Sequence, residues 1–81
     1  MTVGELLITN KGRYTRAFLL QNDEENKALF TEIKDETIAK DMILVESKDY
    51  FLLDTDTVDE IFGKSEELNL LAEDLNLIIA I

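Results

Sequence analysis

Residues 68–81 read LNLLAEDLNLIIAI, and no other stretch of the chain restricts the fold as much. The run is two near-copies of a seven-residue pattern, with Asn69 matching Asn76. At about 100° per residue, Leu68, Leu71, Ala72, Leu75, Ile78 and Ile79 fall on one broad helical face, and Leu70, Leu77 and Ile81 on the opposite one. A helix docked on one sheet buries only the first stripe. The second needs its own cover from the same chain, a second copy or a foreign partner.

The same letters also fit a strand. Leu75, Leu77, Ile79 and Ile81 alternate with Asn76, Ile78 and Ala80. Two readings stand open: a C-terminal helix whose second stripe (Leu70, Leu77 and Ile81) self-associates into a homodimer, or a helix over 65–74 and a closing strand over 76–81. Two heptads are too few for a coiled coil.

The rest of the chain reads as a small sheet with short helical turns. Residues 5–9 and 13–21 flank Asn10-Lys11-Gly12, which suits a hairpin ending in a left-handed glycine. Tyr14, Arg16, Phe18 and Leu20 then share one face, with Thr15, Ala17 and Leu19 on the other. Residues 22–26 are a polar turn, and 28–33 a third strand. A helical turn is expected over 36–41, a strand over 42–47, a turn at 47–49 and a strand over 50–53. Apolar residues on both faces of the last two strands mark them as central, with the first hairpin nearer an edge. Asp56 can cap a short helix through Phe62, Gly63 ends it, and Ser65-Glu66-Glu67 resembles a second helix start. The expected fold class is α+β: a single domain over 1–81, with a small antiparallel sheet or partly closed barrel followed by a C-terminal helix.

Composition removes whole classes of chemistry. The 81 residues contain no cysteine and no histidine, so thiol nucleophiles, histidine-dependent triads and most zinc sites are excluded. The three glycines, at 4, 12 and 63, never cluster into a phosphate-cradling loop. Asp54, Asp56, Asp59 and Glu60 are the densest carboxylate group, but the spacing fails the calcium-loop pattern: Asp59 stands where glycine belongs and Ser65 where the bidentate glutamate belongs. Helix capping and solvated charge account for the cluster. Ser47 and Ser65 have no histidine to activate them. No catalytic residue, metal site or cofactor is expected.

Charge points toward a protein partner. Eighteen acids against eight bases leave −10, which repels nucleic acid and anionic membrane alike. Residues 1–22 carry +2 and the remainder −12. Lys11, Arg13, Tyr14 and Arg16 form the one basic, aromatic-bearing patch, better suited to pairing with the protein's own acids than to nucleic acid. The N-terminus lacks the pattern of a signal peptide, and no run is long enough to span a membrane, so a cytoplasmic location is expected.

The sharpest functional expectation is a non-enzymatic interaction module. Its acids (Asp54, Asp56, Asp59, Glu60, Glu66, Glu67, Glu73 and Asp74) would face a larger protein with a basic surface, standing in for the phosphates of a nucleic acid. Small phage-encoded inhibitors of restriction or CRISPR nucleases often have this size and charge, an analogy of composition that no motif carries. The alternative is a small homo-oligomeric assembly protein held by Leu70, Leu77 and Ile81, in which acidity only confers solubility.

Overall fold

The computed structural model describes residues 1–34 and 40–81. A four-stranded open sheet has a helix against each face. In chain order the elements are α1 (Val3–Thr9), β1 (Arg16–Asn22), β2 (Ala28–Ile33), a single 3-10 turn (Met42–Leu44), β3 (Asp49–Asp54), α2 (Thr55–Phe62) and β4 (Leu75–Ala80). Strand order is β2-β1-β4-β3. β1 runs antiparallel to β2 and parallel to β4, and β3 runs antiparallel to β4. The α+β class holds, with α2 as the helix of the C-terminal region. The parallel β1–β4 pair makes the sheet mixed rather than antiparallel, and it stays open rather than closing into a barrel.

Alternation along the two central strands separates two cores. On one face Ala17 and Leu19 of β1 and Leu77 and Ile79 of β4 pack with Val3 and Leu6 of α1. On the other, Phe18 and Ile78 are fully buried, as is Val58 of α2. There Phe30 bridges Phe18 and Phe62 through two edge-to-face contacts, with centroids 6.4 and 5.1 Å apart. Burying each of Phe18, Leu77, Ile78 and Ile79 is worth roughly 1.5–3 kcal/mol.

α1 forms because Thr2 and Glu5 make a reciprocal capping box: the Glu5 amide donates to the Thr2 hydroxyl, and the Thr2 amide to the Glu5 carboxylate. This corrects the strand expected over 5–9. Gly12 does adopt the left-handed conformation, at φ 84°, but it leads from a helix into β1 rather than across a hairpin. Since β1 begins only at Arg16, Tyr14 lies outside its alternation and packs on the α1 side, its hydroxyl donating to the Leu7 carbonyl.

Residues 42–47 are likewise not a strand. Met42–Leu44 is the 3-10 turn, and 45–47 stitch the N-terminus in place: the Val3 amide donates to Val45 and the Ser47 amide to Met1, both at 2.9 Å. The turn also fits tightly against α1, because a β-carbon on Gly4 would stand 3.0 Å from the Ile43 carbonyl oxygen. The helical turn expected over 36–41 falls largely outside the described residues.

The polar 22–26 turn is as expected. Asp23 holds it by accepting from the Glu25 and Lys27 amides, each at 2.9 Å. The expected centre and edge are exchanged, however. β1 and β4 are central, and β3 is an edge, because the C-terminal run inserts between them as a strand.

That insertion settles the two readings of residues 68–81. β4 forms a strand, while residues 65–74 form successive turns rather than a helix. The face proposed to join two copies therefore does not exist. Leu77 is 0% exposed in the α1-side core, Ile81 packs partly buried against that core, and Leu70 lies in the turns outside the strand. The matched asparagines have unlike fates. Asn69 takes a left-handed turn conformation at φ 54°, whereas Asn76 is wholly buried and donates to the Leu53 carbonyl and the Thr55 hydroxyl.

Candidate partner-binding face

Helix α2 turns Thr55, Val58 and Phe62 toward the sheet, which leaves Asp56, Asp59 and Glu60 on its solvent side. Its N-cap is Asp54 rather than Asp56. The Asp54 carboxylate accepts from the Thr57 amide at 2.8 Å, and hydrogen bonding to the Thr57 side chain and amide holds the Asp54 carboxyl below its ordinary pKa. Gly63, at φ 64°, ends the helix as expected, its amide donating to the Asp59 carbonyl.

From Asp54 to Asp74 the chain stays on this side of the sheet and holds eight carboxylates against one ammonium, Lys64. They divide by environment. Asp56, Glu60, Glu66 and Glu73 are exposed; so is Glu67, which pairs with Lys64 at 3.0 Å. Asp54 caps the helix, and Asp59 accepts from the Ser65 hydroxyl at 2.7 Å.

Asp74 belongs to the interior. It accepts from the Leu71 amide at 2.9 Å and the Thr15 hydroxyl at 3.0 Å, with the Arg16 guanidinium 3.8 Å away. The Leu71 amide is the largest influence holding its carboxyl below the usual range, aided by Thr15 and Arg16. Asp74 is thus removed from the row of eight expected acids as a freely presented charge.

Arg16 is the residue that sequence reasoning underrated. Its Nε and Nη2 grip both oxygens of Glu32 at 2.9 Å, while Nη1 donates to the Asn69 carbonyl and Nη2 also to the Leu68 carbonyl. The guanidinium lies 5.2 Å from the centre of the Phe18 ring. The paired hydrogen bonds raise the Arg16 pKa and lower that of Glu32. One side chain from the basic N-terminal segment therefore clamps the acidic 65–74 turns to the sheet. The expectation that this basic patch serves the protein's own acids holds at Arg16.

The acid-rich segment also exposes apolar side chains. Ile61 of α2 is 60% exposed and Leu71 57%. Among the described residues, no group of three or more acidic side chains is placed to hold a metal ion, and no helix is long and apolar enough to cross a membrane. An open recess of about 400 Å³ lies beside Arg16 and Glu32, whose charged groups are already bonded to one another. Comparison with known protein families, curated proteins and solved structures finds no match.

Proposed function

We propose that the chain is a non-enzymatic interaction module whose α2 side occupies a basic, nucleic-acid-binding surface on a larger protein. In its most concrete form it is a small nucleic-acid mimic of the phage anti-defence type, acting in the cytoplasm. The observation that carries this reading is the concentration of acid between Asp54 and Asp74, eight carboxylates against one ammonium, with every one of the eight but Asp74 exposed. Clamping by Arg16 fixes the acid-bearing turns, and fixed charges bind with less ordering cost than mobile ones.

Size limits what can be imitated. The longest dimension is 33 Å, which equals about ten base pairs of duplex at about 3.4 Å each. Seven exposed acids cannot replace every phosphate over that length, so the module would cover the most basic part of a channel. Ile61 and Leu71 would add apolar contact that DNA itself lacks.

The test is capture of partners from bacterial lysate on the tagged protein, eluted by a salt gradient with or without competing duplex DNA. Recovery of a nucleic-acid-binding protein that DNA displaces supports the proposal. Partners whose retention ignores both salt and DNA contradict it.

A further inference from the structure

Between Gly63, which ends α2, and Leu75, which begins β4, the chain buries no apolar side chain: Leu68 and Leu70 are half-buried, Leu71 and Ala72 exposed. Its backbone hydrogen bonds are equally local. The Leu68 amide donates to Lys64, Asn69 to Glu66, Leu70 to Ser65 and Asp74 to Leu71. Among the described residues, no backbone–backbone bond runs from 65–74 to the sheet or to α2. The bonds that do cross are made by side chains. Arg16 donates to the Leu68 and Asn69 carbonyls, the Thr55 hydroxyl to the Leu71 carbonyl, and Thr15 to Asp74, while Ser65 donates to Asp59.

We propose that residues 65–73 form an arm that opens from the sheet as a unit while both cores stay intact, with Arg16 and Thr55 as its latches. A segment opens below the global unfolding limit when few buried apolar contacts hold it. Release at Arg16 strands no charge, because the guanidinium keeps both oxygens of Glu32 after the two carbonyls turn to water. The joint at Thr55 is incompletely satisfied when the arm is shut. Its hydroxyl accepts from Asn76 over a long 3.5 Å, and the Asn76 Oδ1 is buried without a partner. The ends serve as hinges: Gly63 is left-handed at φ 64°, and Asp74 stays tied to Thr15 at 3.0 Å.

Charge pushes in the same direction. The arm carries Glu66, Glu67 and Glu73, whereas α2 and its cap carry Asp54, Asp56, Asp59 and Glu60, with Lys64 as the single base between them. Like charges held together favour the state that separates them. Opening therefore moves three exposed acids away from the other four, and the latches decide whether the seven are presented together. Only that consequence for a partner rests on the proposed interaction; the arm is a property of the isolated chain.

Native-state amide exchange on the intact chain, followed by NMR through low urea concentrations, tests the inference. The Leu68, Leu70 and Leu71 amides should exchange about 100-fold faster than Leu77, Ile78 and Ile79, at rates nearly independent of urea because opening exposes little surface. Thr55→Val removes one latch and keeps its shape, and should speed arm exchange about fivefold. Arg16→Lys keeps the charge beside Glu32 but loses the planar fork, and should speed it about tenfold. Leu77→Ala weakens a core that the open form retains, so it should speed exchange in β4 and leave the arm rates unchanged. Arm amides that share the urea slope of β4, or that accelerate with Leu77→Ala, overturn the proposal. So do arm rates unmoved by both latch variants. No partner enters this test, so its failure leaves the proposed interaction standing, and failure to capture a DNA-displaceable partner leaves the arm standing.

Discussion

The two faces of the sheet are closed by helices of similar length, seven residues in α1 and eight in α2, yet they differ sharply in charge. On the α1 side, residues 1–15 and the 42–47 segment packed against them hold two acids: Glu5, part of the helix cap, and Glu46, which pairs with the N-terminal ammonium at 3.2 Å. On the α2 side, residues 54–74 hold eight acids. The α1 side buries six apolar side chains and the α2 side three, Phe18, Val58 and Ile78, beside the stacked Phe30 and Phe62; the exposed acids of the second face close neither core. A face that needs only solubility can mix both signs, whereas a one-signed face generates a field. The comparison locates the polar specialisation of the molecule in α2 and the turns after it.

The largest effects are expected where both faces share a strand. Leu77→Ala removes a fully buried side chain from the α1 side and Ile78→Ala one from the α2 side. Each should lower unfolding free energy in urea by about 2–5 kcal/mol. Near-equal losses would confirm two cores of equal weight, and a negligible loss from Ile78→Ala would show that α2 is only draped on the sheet. Next comes Arg16→Ala, which should cost about 2–3 kcal/mol through its lost charge-assisted bonds. It should also raise amide exchange across residues 65–74 while leaving α1 protected.

Acid should destabilise the fold in a defined direction. Glu5, Glu32, Asp54 and Asp74 have pKa values lowered by folding. Their contribution is complete above the ordinary carboxylate range and is lost as pH falls through their depressed values. Three of the four tie down the acidic side, so urea titrations at falling pH should show the 65–74 amides losing protection before α1 does. Gly63→Ala forces a β-carbon into the left-handed region and should cost about 1 kcal/mol. Its small size would separate a helix stop from a packing site, since nothing lies within 4 Å of the added carbon.

Much of this arrangement can be read from local signals, and the failures have physical causes. α2, its Gly63 stop, β2 and the Asp23 turn follow from caps, turn residues and short-range alternation. α1 carried a readable sign in Thr2 and Glu5, a capping box that outweighs the β-like letters of Leu6, Leu7 and Ile8. Residues 75–81 could not be decided locally, because helix and strand patterns coincide there. The parallel pairing with β1, some 60 residues away, chooses the strand. The acids were found, but their division was not: Asp74 looks like any other acid until Thr15 and Leu71 converge on it.

The central claim rests on the exposed acids of the α2 side, and one measurement addresses it directly. Asp56, Glu60, Glu66, Glu67 and Glu73 would be changed together to their amides, and the variant compared with the parent in lysate capture under DNA competition. The account predicts a urea midpoint lowered only slightly, since Asp56 in the first turn of α2 and the exposed Glu67–Lys64 pair each contribute little, together with loss of the DNA-displaceable partner. Retention of that partner by the neutralised face, at equal stability, would contradict it.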